Sequence, residues 1–214
     1  MPAVCRSVIW RPHRKMSTIV AATKNKHKIR EIEQITKEFG MDIITRAEAG
    51  IPDEIEIDED GTTFEENSYK KAYEIMKVSG EVTIADDSGL EVDYLDGKPG
   101  VYSARFAGEN ATDEDNNRKL VEVLKDVPFE ERTCRYVSVI TMVFPDGKHI
   151  VARGEVEGNI VLEPSGNNGF GYDPYFQPVG YDKTFGNFTM EEKNKISHRG
   201  RALEILKAKL EEME

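Results

Sequence analysis

Strand-like apolar runs and helical periodicity alternate along the first half of this chain, and that alternation limits its architecture more than any other feature. Residues 19–22 (IVAA) form a short apolar run. The polar turn Thr23-Lys24-Asn25-Lys26-His27-Lys28 follows, and then Ile29, Ile32, Ile35 and Phe39 recur at helical spacing with Gly40 as the stop. Residues 41–45 predict a second strand. Thr63-Phe64-Glu65-Glu66 has the form of a capping box opening a helix that Gly80 closes, and residues 82–85 predict a third strand running into Asp86-Asp87-Ser88-Gly89. Strands separated by helices belong to α/β proteins. The second half changes character. Thr112 starts an acid-rich helix ending near Lys125, and residues 133–144 and 149–157 flank Pro145-Asp146-Gly147 as a hairpin. One helical stretch from Thr189, apolar at Ile196, Leu203, Leu206 and Leu210, closes the chain. The expected product is a single bilobal α/β unit over residues 16–214.

Charge narrows the function. With 40 acidic against 29 basic side chains the formal net charge is −11, which argues against a nucleic-acid polymer or an anionic bilayer as partner. No run approaches the ~20 apolar residues of a membrane span. An anionic ligand must therefore be met by a local cluster of Lys, Arg and backbone N–H groups. Cys5 and Cys134 sit apart, with neither a CxxC nor a His pair, so a zinc site or disulfide framework is not expected and the cytoplasm is. Residues 1–15 carry Arg6, Arg11, Arg14 and Lys15 and no acid, and read as a disordered or non-native extension ahead of a start at Met16.

Five segments hold residue types suited to chemistry. Thr23–Lys28 lies between a strand and a helix, where unpaired N–H groups and the helix dipole favour an anion; its basic side chains suit a triphosphate, although Thr23 or Asn25 also reads as a plain N-cap. Asp86-Asp87-Ser88-Gly89 sits where a strand is expected to end. Two adjacent carboxylates there suit a shared cation such as Mg²⁺, or else form a solvated turn. The acidic run Glu54, Glu56, Asp58, Glu59, Asp60 offers a second metal carboxylate or a solvated face. Phe170-Gly171-Tyr172-Asp173 offers aromatic faces beside a carboxylate, and Lys193, His198 and Arg199 add donors able to read the carbonyl oxygens of a base.

In order, Thr23-x-Asn25-x-x-Lys28, Thr63-Phe64-Glu65-Glu66-Asn67, Ala85-Asp86-Asp87-Ser88-Gly89-Leu90, Pro99-Gly100-Val101-Tyr102-Ser103-Ala104-Arg105, Gly169-Phe170-Gly171-Tyr172-Asp173-Pro174 and Glu192-Lys193 with Ile196-Ser197-His198-Arg199 closely resemble the dITP/XTP or inosine triphosphate pyrophosphatase family, over residues 17–210. The resemblance implies a long mixed central sheet flanked by helices, two lobes around a nucleotide-binding cleft, and a homodimer. It implies Mg²⁺-dependent hydrolysis of ITP, dITP or XTP to the monophosphate and pyrophosphate. Asp87 matches the family's metal-linked proton acceptor, and Thr23, Lys24, Asn25, Lys26, His27 and Lys28 match its phosphate segment. Ser88, Phe170, Gly171, Tyr172, Asp173, Lys193, His198 and Arg199 match substrate contacts. The second metal carboxylate falls on Glu59 or, alternatively, Asp58. The rival expectations are a Maf-like pyrophosphatase of modified or pyrimidine nucleotides and a nucleotide sensor without turnover.

Overall fold

The computed structural model describes residues 18–213, so the expected extension 1–15 and the Met16 start lie outside the described residues. Six strands form one mixed sheet in the order β2-β1-β3-β4-β5-β6. β1 (Ile19–Ala21) pairs in parallel with β2 (Ile43–Ile44) on one side and with β3 (Thr83–Val92) on the other. The remaining pairings, through β4 (Thr133–Val143), β5 (His149–Ile160) and β6 (Phe176–Pro178), are antiparallel.

Local chemistry places the helix ends where the sequence predicts them. α1 (Lys26–Glu38) is capped by the Asn25 side chain, and Thr36 and Lys37 carbonyls close it against Phe39. α2 (Phe64–Ser79) has the Thr63/Glu66 capping box and ends on Gly80 in the left-handed conformation. α3 (Asp113–Leu124) starts from a second such box at Thr112 and Asp115. The last helical stretch is not continuous, which corrects the expectation of one helix. It breaks at Ser197, whose extended backbone (ψ 160°) ends α4 (Met190–Ile196) and whose hydroxyl caps α5 (His198–Glu211).

Each face of the sheet has its own cover. Ile84, Ile140, Met142 and Ala152 meet α1 and α5 in one buried cluster, and Leu90, Val92, Cys134, Tyr136 and Val156 meet α3 and the segment around Phe176 and Phe185 in another. α5 approaches closely because Gly154 lies beneath it: a Cβ there would stand 2.3 Å from the His198 carbonyl and the Ala202 nitrogen. The opposite face takes α2, against Ala85, Val137 and Val139. Between the two clusters of the first face the strands carry polar residues, Asp86, Ser88 and Ser138. A sheet interior holds such groups only where partners or a ligand satisfy them.

Candidate active site

The sequence reading of Asp86-Asp87-Ser88-Gly89 as a segment after a strand is corrected by the structure. β3 continues to Val92, and these residues pair with Ile140, Val139, Ser138 and Val137 of β4. On the other edge β1 stops near Ala22, whose N–H donates to the Ile84 carbonyl at 2.8 Å. Asp86 and Asp87 thus lie just beyond the carboxyl end of a parallel strand, where open α/β sheets form their crevice. Side chains alternate along a strand, so the two carboxylates face opposite sides and do not share one cation.

On the α1/α5 side, Asp86 is buried and accepts from Lys28 at 2.8 Å, from Arg199 at 3.1 Å and from Ser138. Burial alone raises its pKa, but Arg199 and Lys28 dominate and hold it well below the usual range. Arg199 also meets Glu31 and Ser88, and Glu31 continues to Lys193 at 2.9 Å, which reaches Asp173 at 2.7 Å. Arg199, Lys193, Glu31 and Asp173 are all nearly inaccessible to solvent. His198 stacks on Tyr136 with centroids 4.7 Å apart, and its Nδ1 has no hydrogen-bond partner among the described residues. Burial, Arg199 and Lys193 push its pKa well below 6.5, so the ring is neutral.

On the α2 side, Asp87 Oδ1 accepts from Lys71 at 2.8 Å and Oδ2 from Asn67 at 3.3 Å. Lys71 reaches Glu59 as well, at 3.0 Å. Burial raises the Asp87 pKa; Lys71 and Lys28 pull it back without cancelling the rise, and the nearby Glu59 charge adds to it. Glu59 is itself raised by burial, yet Lys71, Lys28 and a hydrogen bond with Asp87 bring it below the ordinary value. Asp58 is exposed and makes none of these contacts, so Glu59 is the acid brought to Asp87. The acidic segment is also held through its backbone: the carbonyls of Asp53, Ile55 and Glu59 accept from Lys24, Arg46 and Arg105, while its Glu59 and Asp60 carboxylates pair with Lys71 and Lys70.

Lys28 joins the two sides. It pairs with Asp86, acts on Asp87 and Glu59 through its charge, and lines a cavity of about 130 Å³ with Asn25, Ser88, Phe170, Gly171, Tyr172, Asp173, Lys193, His198 and Tyr136. Pockets that enclose a whole ligand run to roughly 300–1,000 Å³. This one, at about 130 Å³, encloses only part of such a ligand.

Other sequence-predicted residues stand around that cavity. The N-cap reading holds for Asn25, whose side-chain oxygen accepts from the His27 and Lys28 N–H groups, and not for Thr23, whose hydroxyl accepts from the Asn25 N–H ahead of the helix. Lys26 and His27 are exposed, and His27 stacks on the cavity-lining Phe170 with ring centroids 5.2 Å apart. The Phe170 and Gly171 N–H groups are taken by Asp173 and Asp113, and the Tyr172 hydroxyl by the Ser103 carbonyl. Arg199 is committed to Glu31, Asp86 and Ser88 and does not line the cavity. Sequence reasoning missed Lys71, Glu31, Asn67 and Tyr136. Lys71 and Glu31 had one usable signal: each stands among the apolar positions on the buried stripe of its helix.

In class, then, this is an open α/β protein whose crevice, at the carboxyl end of a parallel strand, links a base-sized cavity to a carboxylate pair through one lysine. The chain belongs to the Ham1 family, whose model matches residues 19–209. It is 52% identical to the dITP/XTP pyrophosphatase of Clostridium perfringens over 201 residues, 91% of this chain and 98% of that protein. It is 48% identical to the dITP/XTP pyrophosphatase of Geobacter sulfurreducens over 192 residues, 90% of this chain and 96% of that one. The solved Ham1 protein of Staphylococcus aureus superposes with a TM-score of 0.80 at 41% identity, covering 92% of this chain and 100% of that structure.

Proposed function

We propose that this chain hydrolyses ITP, dITP and XTP between the α and β phosphates, releasing the nucleoside monophosphate and pyrophosphate and so clearing deaminated purines from the nucleotide pool. The observation that carries the reading is the position of Lys28. Among the described residues it is the one group that both lines the cavity and acts electrostatically on Asp87 and Glu59, so a nucleotide with its base in the cavity leads its polyphosphate over Lys28 toward the carboxylates.

A divalent cation fits the α2 side. Asp87 and Glu59 are two carboxylates with one ammonium between them, and burial first, with the Glu59 charge adding to it, raises the Asp87 pKa. Among the described residues no group of three or more His, Cys, Asp or Glu side chains is gathered for a metal. Mg²⁺ suits such a site, since it takes one or two carboxylates together with substrate phosphates and water. Bound there, it supplies charge neutralisation on the phosphate oxygens and acidifies a water. Asp87 accepts the proton from the attacking water, its raised pKa improving its basicity. Lys28 and Lys71 offset charge developing on the phosphates and leaving group. In the cavity, Phe170 and the Tyr136/His198 stack flank the base, and Lys193 and His198 offer hydrogen bonds to a 6-oxo purine. Adenine's 6-amino group would set donor against donor.

The acting unit in this reading is residues 16–214, two lobes sharing one sheet, paired as a homodimer and working on free nucleotides in the cytoplasm. No described helix is long and apolar enough to cross a membrane. Product analysis tests the activity: with Mg²⁺ present, ITP gives IMP and pyrophosphate as first products, and a chelator stops the release. Orthophosphate as first product, or turnover unaffected by chelation, contradicts it.

A further inference from the structure

Asn67 is 1% exposed and stands in the first turn of α2, yet its side chain does nothing for the helix, whose cap is supplied by Thr63 and Glu66. Its amide instead spans two segments. Oδ1 accepts the Gly61 N–H at 2.8 Å, while Nδ2 donates to Asp87 Oδ2 at 3.3 Å and lies 3.5 Å from the Gly61 carbonyl. Glu59 is two residues before Gly61, so one amide touches both carboxylate-bearing segments, the irregular acidic strap and the β3 strand. The fit leaves no slack. A Cβ on Gly61 would lie 2.5 Å from Asn67 Oδ1 and 2.9 Å from the Glu66 Cβ.

We propose that Asn67 is a positioning residue: it fixes the separation and orientation of Glu59 and Asp87, and thereby the affinity of the site for a divalent cation, with Gly61 as its required counterpart. The inference rests on the reading of Glu59 and Asp87 as the metal pair. The amide is needed for its two polarities. The acceptor end meets a backbone N–H and the donor end meets a carboxylate, so an aspartate here would turn lone pairs toward Asp87. With Lys71 on Oδ1 and Asn67 on Oδ2, each Asp87 oxygen has one donor, and the plane of the carboxylate is set.

The test is Mn²⁺ binding to the nucleotide-free full chain, followed by electron paramagnetic resonance, with Mg²⁺ activation curves for pyrophosphate release from ITP alongside. Outer partners of metal ligands are worth roughly 10–100-fold in metal affinity. Asn67→Asp and Gly61→Ala are expected to weaken Mn²⁺ binding at least about tenfold on that scale, to raise the half-activating Mg²⁺ concentration in parallel, and to recover most of kcat at saturating Mg²⁺. Gly61→Ala should cost less Mn²⁺ affinity in an Asn67→Ala background than in the wild type, because the clash with the Asn67 amide is gone and only that with the Glu66 Cβ remains. Should Asn67→Asp fail to fold, Gly61→Ala reads the same displacement. Wild-type Mn²⁺ affinity and Mg²⁺ activation in these variants, with Asp87→Asn abolishing binding, overturns the role of Asn67 alone. Unchanged Mn²⁺ binding in Asp87→Asn overturns the metal reading beneath it.

Discussion

Asp86 and Asp87 are consecutive in the chain and face opposite sides of the sheet, Asp86 toward Arg199 at 3.1 Å and Asp87 toward Lys71 at 2.8 Å. Their surroundings push them apart. Asp86 meets two cations, Lys28 and Arg199, and the Ser138 hydroxyl in a closed interior, and stays ionised well below the usual range. Asp87 is burdened by burial and by Glu59, and titrates above it. Paired acids held in unlike environments take unlike roles.

Substituting each in turn separates those roles. Asp87→Asn keeps the fold and lowers pyrophosphate release by about 10²–10⁴-fold, the usual worth of a positioned proton acceptor. Asp86→Asn strikes stability first, because Arg199 and Lys28 lose a buried counter-charge, at a cost on the order of 3–5 kcal/mol. Circular dichroism melts beside initial rates read the contrast, and equal loss of fold in both variants contradicts it.

Lys71 controls the acid limb of the pH profile. Its ammonium lowers the Asp87 pKa, so Lys71→Met lets that pKa rise further. The active form is the ionised carboxylate, and the acid limb of kcat/KM therefore moves to higher pH in the variant. A profile of unchanged position shows that Asp87 is not the group titrating.

Glu31 links pH to stability. Burial raises its pKa, but Arg199 and Lys193 together bring it below the ordinary 4.5. A depressed folded-state pKa stabilises the protein above 4.5 and is lost as pH falls through the lower folded value. Glu31→Gln removes on the order of 3 kcal/mol at neutral pH. At about 2–4 °C per kcal/mol for a chain of this size, Tm falls by roughly 6–12 °C. As pH falls below 4.5 toward the lowered folded-state value the two melting temperatures should converge, and a gap that stays constant through acid unfolding contradicts the assignment.

Much of this fold was legible because the deciding signals are local. Thr63 with Glu66, Thr112 with Asp115 and Gly80 each act within a few residues, and the 145–147 turn joins the two strands it touches. The break at Ser197 was hidden because the apolar spacing runs on across it, while the cause is the close packing of α4 on α5, where Gly200 would bring a Cβ within 1.9 Å of the Asn194 carbonyl. The site was legible as residue types and not as partnerships. Lys193 and Glu31 are 162 positions apart, and Arg199 and Asp86 113; nothing in a helix repeat announces which distant acid will neutralise a lysine. Asp86 and Asp87 read as one acidic turn because the strand's end was placed too early.

His198 bears on binding and not on proton transfer. Its ring stays neutral because burial, Arg199 and Lys193 all oppose the charged form. KM for ITP should show no inflection near pH 6.5 attributable to this residue. His198→Leu should raise KM about tenfold, equivalent to one lost hydrogen bond of ~1.4 kcal/mol, with a smaller change in kcat. A KM that follows the ordinary imidazole titration contradicts the neutral assignment.

The decisive measurement is a crystal structure with a non-hydrolysable ITP analogue and Mn²⁺, read by anomalous scattering. The base should occupy the cavity of Tyr136, Phe170 and His198, the polyphosphate should pass Lys28 at the end of β1, and the Mn²⁺ peak should fall beside Glu59 and Asp87 on the far face of the sheet. Base and metal found on one face, or a metal bound away from Asp87, contradicts a nucleotide that crosses the sheet at Lys28.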